Sequence, residues 1–174
     1  MMDETPSISR EVLVALSVGD TIPNVKLTTL TAEGLKPVES GEVLGTGKVV
    51  LFAVPGAFTP TCSDHHLPGF VMQADEILEK GVDRIACIAV NDPFVMGAWG
   101  NAQGTGEKVL MLSDGNGVFA AAAGMELDLT GIGLGNRSLR YAAILQDGVV
   151  EEIFVEPNPG KVDVASAEKV LKAL

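Results

Sequence analysis

Two unbroken apolar runs, KVVLFAV (residues 48–54) and RIACIAV (84–90), have strand length and no polar alternation. Such runs suit strands buried on both faces. Between them, Phe70, Ala74, Ile77 and Leu78 recur at i, i+4, i+7 and i+8 and form one face of a helix. The spacing predicts a helix from near Pro60 to Glu79, ended by Lys80-Gly81. Pro68 lies inside it and should kink it or part a first turn from the main body. Upstream, VKLTTLTAEGLKPVE reads as a hairpin turning at Ala-Glu-Gly. Downstream, Asp92 is placed to cap a helix with Pro93 at its first position. A short strand over 108–112, a turn at Ser113-Asp114-Gly115 and an Ala-rich helix over 118–123 come next. LDLTGIGLG (127–135) is loop-like. SLRYAAILQ and VVEEIFVE read as strands joined by Asp147-Gly148, a strong hairpin signal. A final helix is expected from about 163 to 174, with Val164, Ala167, Leu171 and Leu174 as its apolar stripe.

Alternation of strands and helices, closed by a hairpin and a helix, points to an α/β fold with a central mixed sheet and helices on both faces. The order β–α–β–α–β–β–α accommodates a thioredoxin-like arrangement. We expect residues 1–17 to form an N-terminal extension, in which EVLVAL could make a short helix, and 18–174 to form a single domain.

Composition narrows the function. Of 174 residues, 47% are apolar, enough for one domain with a real core. The formal net charge is −11 and no basic patch is visible, which argues against nucleic acid and anionic membranes as partners. The longest apolar run, VVLFAVPGAF, contains a proline and falls far short of the roughly 20 residues that cross a bilayer. Asp3 and Glu4 sit where a secretory signal would be basic, and the N-terminus is poor in basic residues for a transit peptide. The expected location is therefore cytoplasmic. Two cysteines do not make a disulfide framework at this size, so one functional and one buried thiol are expected.

Cys62 is the candidate. It follows a turn rich in Gly, Pro and Thr, between a buried strand and a helical pattern. A thiol at a helix N-terminus faces unpaired N–H groups and the positive end of the dipole, both of which favour the reactive thiolate. Its neighbours Thr59, Pro60, Thr61, Ser63 and Asp64 are polar or turn-forming, which predicts at least partial accessibility.

The string PGAFTPTCSDHHLPGF contains P-x-x-x-T-x-x-C, as Pro55, Thr59 and Cys62. This resembles the active-site signature of peroxiredoxins, and the longer string resembles their type II, peroxiredoxin-5-like branch. The likeness continues through CIAVNDPFVMGAWG, RYAAILQDGVV and SAEKVLKAL, covering about residues 17–174. The resemblance implies a thioredoxin-like fold and a thiol-dependent peroxidase acting on hydrogen peroxide and alkyl hydroperoxides, with no cofactor and no metal. It makes Cys62 the peroxidatic cysteine, Thr59 the hydroxyl that orients peroxide and Pro55 a shield for the thiolate. It also requires an arginine on a later strand. Counting back from Gln146-Asp147-Gly148 gives Arg140 that place, with Arg137 nearer the surface. Glutathione with glutaredoxin, or thioredoxin, is the implied reductant, and a homodimer the implied assembly.

Other readings attach to the same residues. Cys87 lies mid-strand in RIACIAV and reads as a buried core thiol, although a resolving role through a disulfide with Cys62 is the alternative. No cysteine follows it, so a one-Cys mechanism is expected. His66, at i+4 from Cys62, could pair with the thiol for acyl transfer, but such bases usually come from elsewhere in a fold. A metal site from Asp64, His65 and His66 lacks a second ligand cluster. GIGLG is not a nucleotide loop, because strand residues follow it. Glu151 and Glu152 read as a solvated strand face, and Phe94 and Trp99 as packing residues. A redox sensor that passes its oxidation to a partner protein would use the same thiolate and is the rival function.

Overall fold

A computed structural model describes residues 15–174. Its centre is β3 (Lys48–Ala53), β4 (Arg84–Ala89) and β5 (Leu110–Ser113), which run parallel. On one side, β1 (Lys26–Thr31) joins β5 antiparallel and pairs with β2 (Gly34–Glu39) at the edge. On the other, β8 (Tyr141–Gln146) lies antiparallel to β3 and is followed outward by β9 (Val149–Val155). The seven-stranded order is β2-β1-β5-β4-β3-β8-β9, and Pro37 falls on the edge strand, where its missing N–H is tolerated.

Period-2 alternation divides the central strands between two cores. Val50, Phe52, Ile85, Cys87, Ala142 and Ile144 point to one face. Val49, Leu51, Ala86, Ile88, Ala143 and Leu145 point to the other. The first face is covered by α2 (Leu67–Glu79), α3 (Pro93–Gln103) and α5 (Ala167–Ala173), through Phe70, Ala74, Ile77, Trp99 and Val170. The second carries Leu44, which follows α1 (Ser40–Val43), and Phe119 from α4 (Val118–Ala122). Helices on both faces of a mixed sheet bear out the expected fold class. Asp92 caps α3 as anticipated, accepting from the Val95 amide at 2.9 Å.

Four expectations need correction. The segment read as a loop, 127–135, is a turn only in its middle, over residues 130–134: its two ends belong to a second, two-stranded sheet, β6 (Glu126–Leu129) and β7 (Gly135–Ser138). Its glycines mislead because they serve the reversal: Gly133 and Gly135 have φ of 83° and 71°. The strand expected over 138–146 breaks at Leu139, whose amide donates to the Met125 carbonyl and so carries the chain from one sheet to the other. The last helix begins at Ala167, not near 163, with Ser166 accepting from the Lys169 amide. Phe94 does not pack: it is 61% exposed.

The helix expected over EVLVAL begins outside the described residues, and its last two, Ala15 and Leu16, are not helical. Leu16, placed in the extension by the sequence, is buried in the second core, and its amide donates to the Ala123 carbonyl. Among the described residues, no helix is long and apolar enough to cross a membrane.

Candidate active site

The chain leaves β3 through Val54 and Pro55, turns, and becomes helical at Pro60. Phe58 takes a φ of 64°, unusual for a bulky side chain, and is 56% exposed. The turn is held from outside. The Asn91 side chain, at the end of neighbouring β4, accepts from the Ala57 amide at 2.8 Å. Arg137, from β7, donates to the Pro55 carbonyl at 3.2 Å. Gly56 is needed for this approach, because a Cβ there would lie 2.7 Å from the Arg137 Nη1. Thr59 Oγ1 donates to the Gly56 carbonyl at 2.6 Å and keeps its lone pairs free to accept.

Cys62 opens a π-helical turn, Cys62–His66, that precedes α2. Here the Leu67 amide reaches back five residues to the Cys62 carbonyl. Pro68 supplies a physical reason: it has no N–H to give the Asp64 carbonyl, so the ordinary ladder is already broken at this point. Part of the Pro68 expectation is thus met, since a first turn is parted from the main body. Trp99 and Gln103 of α3 pin the turn, donating to the Ser63 hydroxyl and carbonyl at 3.0 and 3.2 Å.

The expected accessibility of Cys62 is wrong: the residue is 0% exposed. The turn formers around it lie on the surface while the side chain points into the core beneath them. Buried thiols are ordinarily inert, but this one has a cationic partner. Arg140 Nη2 donates to Cys62 Sγ at 3.1 Å. Arg140 is itself 2% exposed and is fixed by two further bonds. Its Nε donates to the Pro159 carbonyl at 2.8 Å and its Nη1 to His66 Nδ1 at 2.9 Å. A guanidinium is a permanent charge with a rigid fork of donors, so three fixed partners set its orientation completely.

His66 is 1% exposed and packs against the stacked pair Phe52 and Phe70, with ring centroids 5.1 and 5.6 Å away. Its tautomer follows from its neighbours. Arginine can only donate, so Nδ1 accepts; a carbonyl can only accept, so Nε2 carries the proton and donates to Ala165 at 2.8 Å. Burial, reinforced by the Arg140 charge and partly opposed by the Ala165 bond, lowers its pKa to about 3. The ring is therefore neutral at physiological pH, and neither nitrogen is free to act as a base for Cys62.

The structure brings Cys62 and Arg140 into contact and sets Thr59 and Pro55 in the turn that leads to them. It holds Arg137 on the Pro55 carbonyl, away from the sulfur bond. Cys87 lies on the same face of the sheet, 0% exposed, in β4 between β3 and β5. Burial pushes its thiol well above the usual range; charge on Cys62 adds to the effect and Arg140 opposes it. His65 is exposed and, among the described residues, no group of His, Cys, Asp or Glu could hold a metal ion. The sequence reading missed Asn91 and the role of Trp99. Asn91 could have been found from its place at the carboxyl end of a parallel strand, where such folds build their sites.

The redoxin family profile matches residues 17–171. The chloroplastic peroxiredoxin-2E of Arabidopsis thaliana is 48% identical over 94% of this chain and 71% of its own length. Reduced Prx3 from Vibrio vulnificus, solved in complex with hydrogen peroxide, superposes with a TM-score of 0.86 at 50% identity, covering 91% of this chain and 98% of that one. Peroxiredoxin 5 from Alvinella pompejana gives a TM-score of 0.79 at 36% identity over 91% and 97% of the two chains.

Proposed function

The chain belongs to the peroxiredoxin family, in its type II, peroxiredoxin-5-like branch, and from that premise we propose that Cys62 is its peroxidatic thiol. The activity is thiol-dependent reduction of peroxides. The observation that carries the assignment of Cys62 is the 3.1 Å bond from a buried guanidinium to a buried sulfur. In so dry a site a permanent positive charge stabilises negative charge beside it far more than it would in water.

The sulfur attacks one peroxide oxygen, the S–O bond forms and the O–O bond breaks. The departing oxygen leaves with the bonding pair, takes a proton and becomes water or an alcohol, while Cys62 becomes a sulfenic acid. Arg140, already on the sulfur, also faces the charge that develops on the breaking O–O bond and stabilises it. Thr59 offers lone pairs to the peroxide O–H, and Pro55 keeps bulk water from the sulfur. Fixing these groups before the substrate arrives supplies the positioning term.

Resolution comes from outside. Cys87 is held in the middle of the sheet, and burial keeps it protonated, so it is a poor partner for the sulfenic acid. A one-Cys cycle follows, in which glutathione with glutaredoxin, or thioredoxin, restores the thiol. That need for a reducing supply fits a cytoplasmic setting. Phe58, Phe94, Val118 and Ile132 are exposed by 56, 61, 43 and 71%, which is apolar area that a homodimer would cover.

The test mixes reduced protein with hydrogen peroxide in stopped flow and follows intact mass. The one-Cys reading expects rapid gain of one oxygen at Cys62, reversed by glutathione with glutaredoxin or by thioredoxin. Loss of two hydrogens, with a Cys62–Cys87 disulfide, would replace it with a two-Cys cycle. Oxidation no faster than that of an ordinary exposed thiol would remove Cys62 from the peroxidatic role.

A further inference from the structure

Glu156 follows β9 directly and is 3% exposed. Its amide donates to the Arg140 carbonyl at 3.0 Å, adding one bond beyond the β8–β9 pairing. Its side chain does something less usual. Oε2 alone accepts three consecutive amides, from Asp163 at 2.8 Å, Val164 at 2.7 Å and Ala165 at 2.7 Å. A buried carboxylate is costly unless it is met by donors, and these three short charge-assisted bonds meet it. Oε1 is buried with no partner, so all of the hydrogen bonding falls on one oxygen and one stretch of backbone.

That stretch is the end of a strap, residues 157–165, whose carbonyls reach into the site. Pro159 accepts from Arg140 Nε at 2.8 Å. Gly160 accepts from Thr61 Oγ1 at 2.8 Å. Ala165 accepts from His66 Nε2 at 2.8 Å, and the amide of this same Ala165 is bound by Glu156. The strap carries no regular helix or strand of its own, so its position depends on such anchors.

We propose that Glu156 is a positioning residue for the peroxide reaction: its carboxylate fixes the strap, and the strap's carbonyls fix the tautomer of His66 and the aim of Arg140 at Cys62. The inference rests on the reading of Cys62 as the reacting thiol. Glu156 itself touches neither sulfur nor substrate. It acts through Ala165 on His66, and through the backbone of residues 157–163 on Arg140.

The test compares wild type with Glu156→Gln and Glu156→Ala. Stopped-flow oxidation by hydrogen peroxide is measured across pH and corrected for the folded fraction from circular dichroism. Loosening the strap should slow oxidation per folded molecule by roughly 10- to 100-fold in Glu156→Ala. It should also move the pH–rate profile to higher pH, because the guanidinium is no longer held on the sulfur. Glu156→Gln keeps an oxygen that can accept the three amides but loses the charge, so it should fall between wild type and alanine. Imidazole nitrogen NMR gives an independent reading: His66 should be a single Nε2–H tautomer in wild type and a mixture in Glu156→Ala. If alanine does not fold, the glutamine variant and the double variant Glu156→Gln/His66→Asn carry the test. Their rate losses should combine to less than the product of the single losses, as for residues acting through one chain of contacts. An unchanged pH profile and a single tautomer, or losses that multiply independently, would overturn the proposal. Slow oxidation of wild type itself would instead overturn the reading of Cys62, whatever the variants do.

Discussion

Cys62 and Cys87 are both 0% exposed and both belong to the core on the same face of the sheet. The regions around them differ in what they offer a charge. The π-turn at Cys62 sits in the first turn of a helical segment and receives a guanidinium at 3.1 Å. The strand at Cys87 has its amides and carbonyls committed to β3 and β5, and its side chain meets apolar groups. The difference teaches that burial does not by itself quiet a thiol. Removal from water raises the cost of an unpaired charge and also the worth of a paired one. On the proposed reading, depth amplifies whatever the neighbours dictate: reactivity at Cys62, inertness at Cys87.

The contrast can be broken most completely at the sulfur. Cys62→Ser should abolish peroxide consumption with a thiol reductant while leaving the circular dichroism spectrum intact; residual turnover would hand the chemistry to Cys87. Next in size is the charge. Arg140→Gln should slow Cys62 oxidation on the order of 10²- to 10³-fold, the loss typical of one charge-stabilising donor in a dry site. Arg137→Gln, which removes bonds to the Leu134 and Pro55 carbonyls but none to the sulfur, should cost a few-fold at most. The reverse ranking would make Arg137 the partner of the sulfur.

A third comparison uses pH. His66 takes up its proton near pH 3 when folded but near 6.5 when unfolded. Between those values the unfolded chain holds the extra proton, so stability is full above about pH 6.5 and falls as pH drops toward about 3. Urea titrations should show the folding equilibrium weakening by up to roughly tenfold per pH unit in that window. His66→Asn should lack this component of the slope. The smallest effect is expected at the second thiol. Cys87→Ala should leave turnover within about two-fold and cost roughly 1 kcal/mol of stability through a small cavity. A large loss of turnover in a folded Cys87→Ala protein would reinstate an internal disulfide.

Much of this frame was legible from residues alone, because apolar runs and turn formers report local physics. KVVLFAV and RIACIAV could hardly be anything but central strands, and Asp92-Pro93 announced its helix. Cys62, Thr59 and Arg140 were reachable through the resemblance of PGAFTPTC and RYAAILQDG to a known pattern. What could not be read was set by contacts remote in sequence. The burial of Cys62 was hidden because its neighbours in sequence are surface residues, while its own side chain points beneath them into the core. The hairpin of β6 and β7 was hidden because Gly133 and Gly135 resemble loop residues until their φ values are known. Glu156 carried no signal at all: a glutamate after a strand is ordinarily solvated, and only the path of residues 157–165 makes it a buried acceptor.

The strap joins Thr61 to Gly160 and His66 to Ala165, each pair 99 positions apart. This has a consequence for how the protein is made. Translation at about 5–20 residues per second delivers Cys62 several seconds before the strap. During that interval the thiol has no Arg140, no fixed His66 and no strap to hold them, and it reacts as any cysteine in an unfinished chain does. Contacts of such long range also form late in folding, because loop closure must precede them. The proposed nucleophile would thus mature last, and a chain truncated before Glu156 would carry the full cysteine motif and little of the chemistry proposed for it.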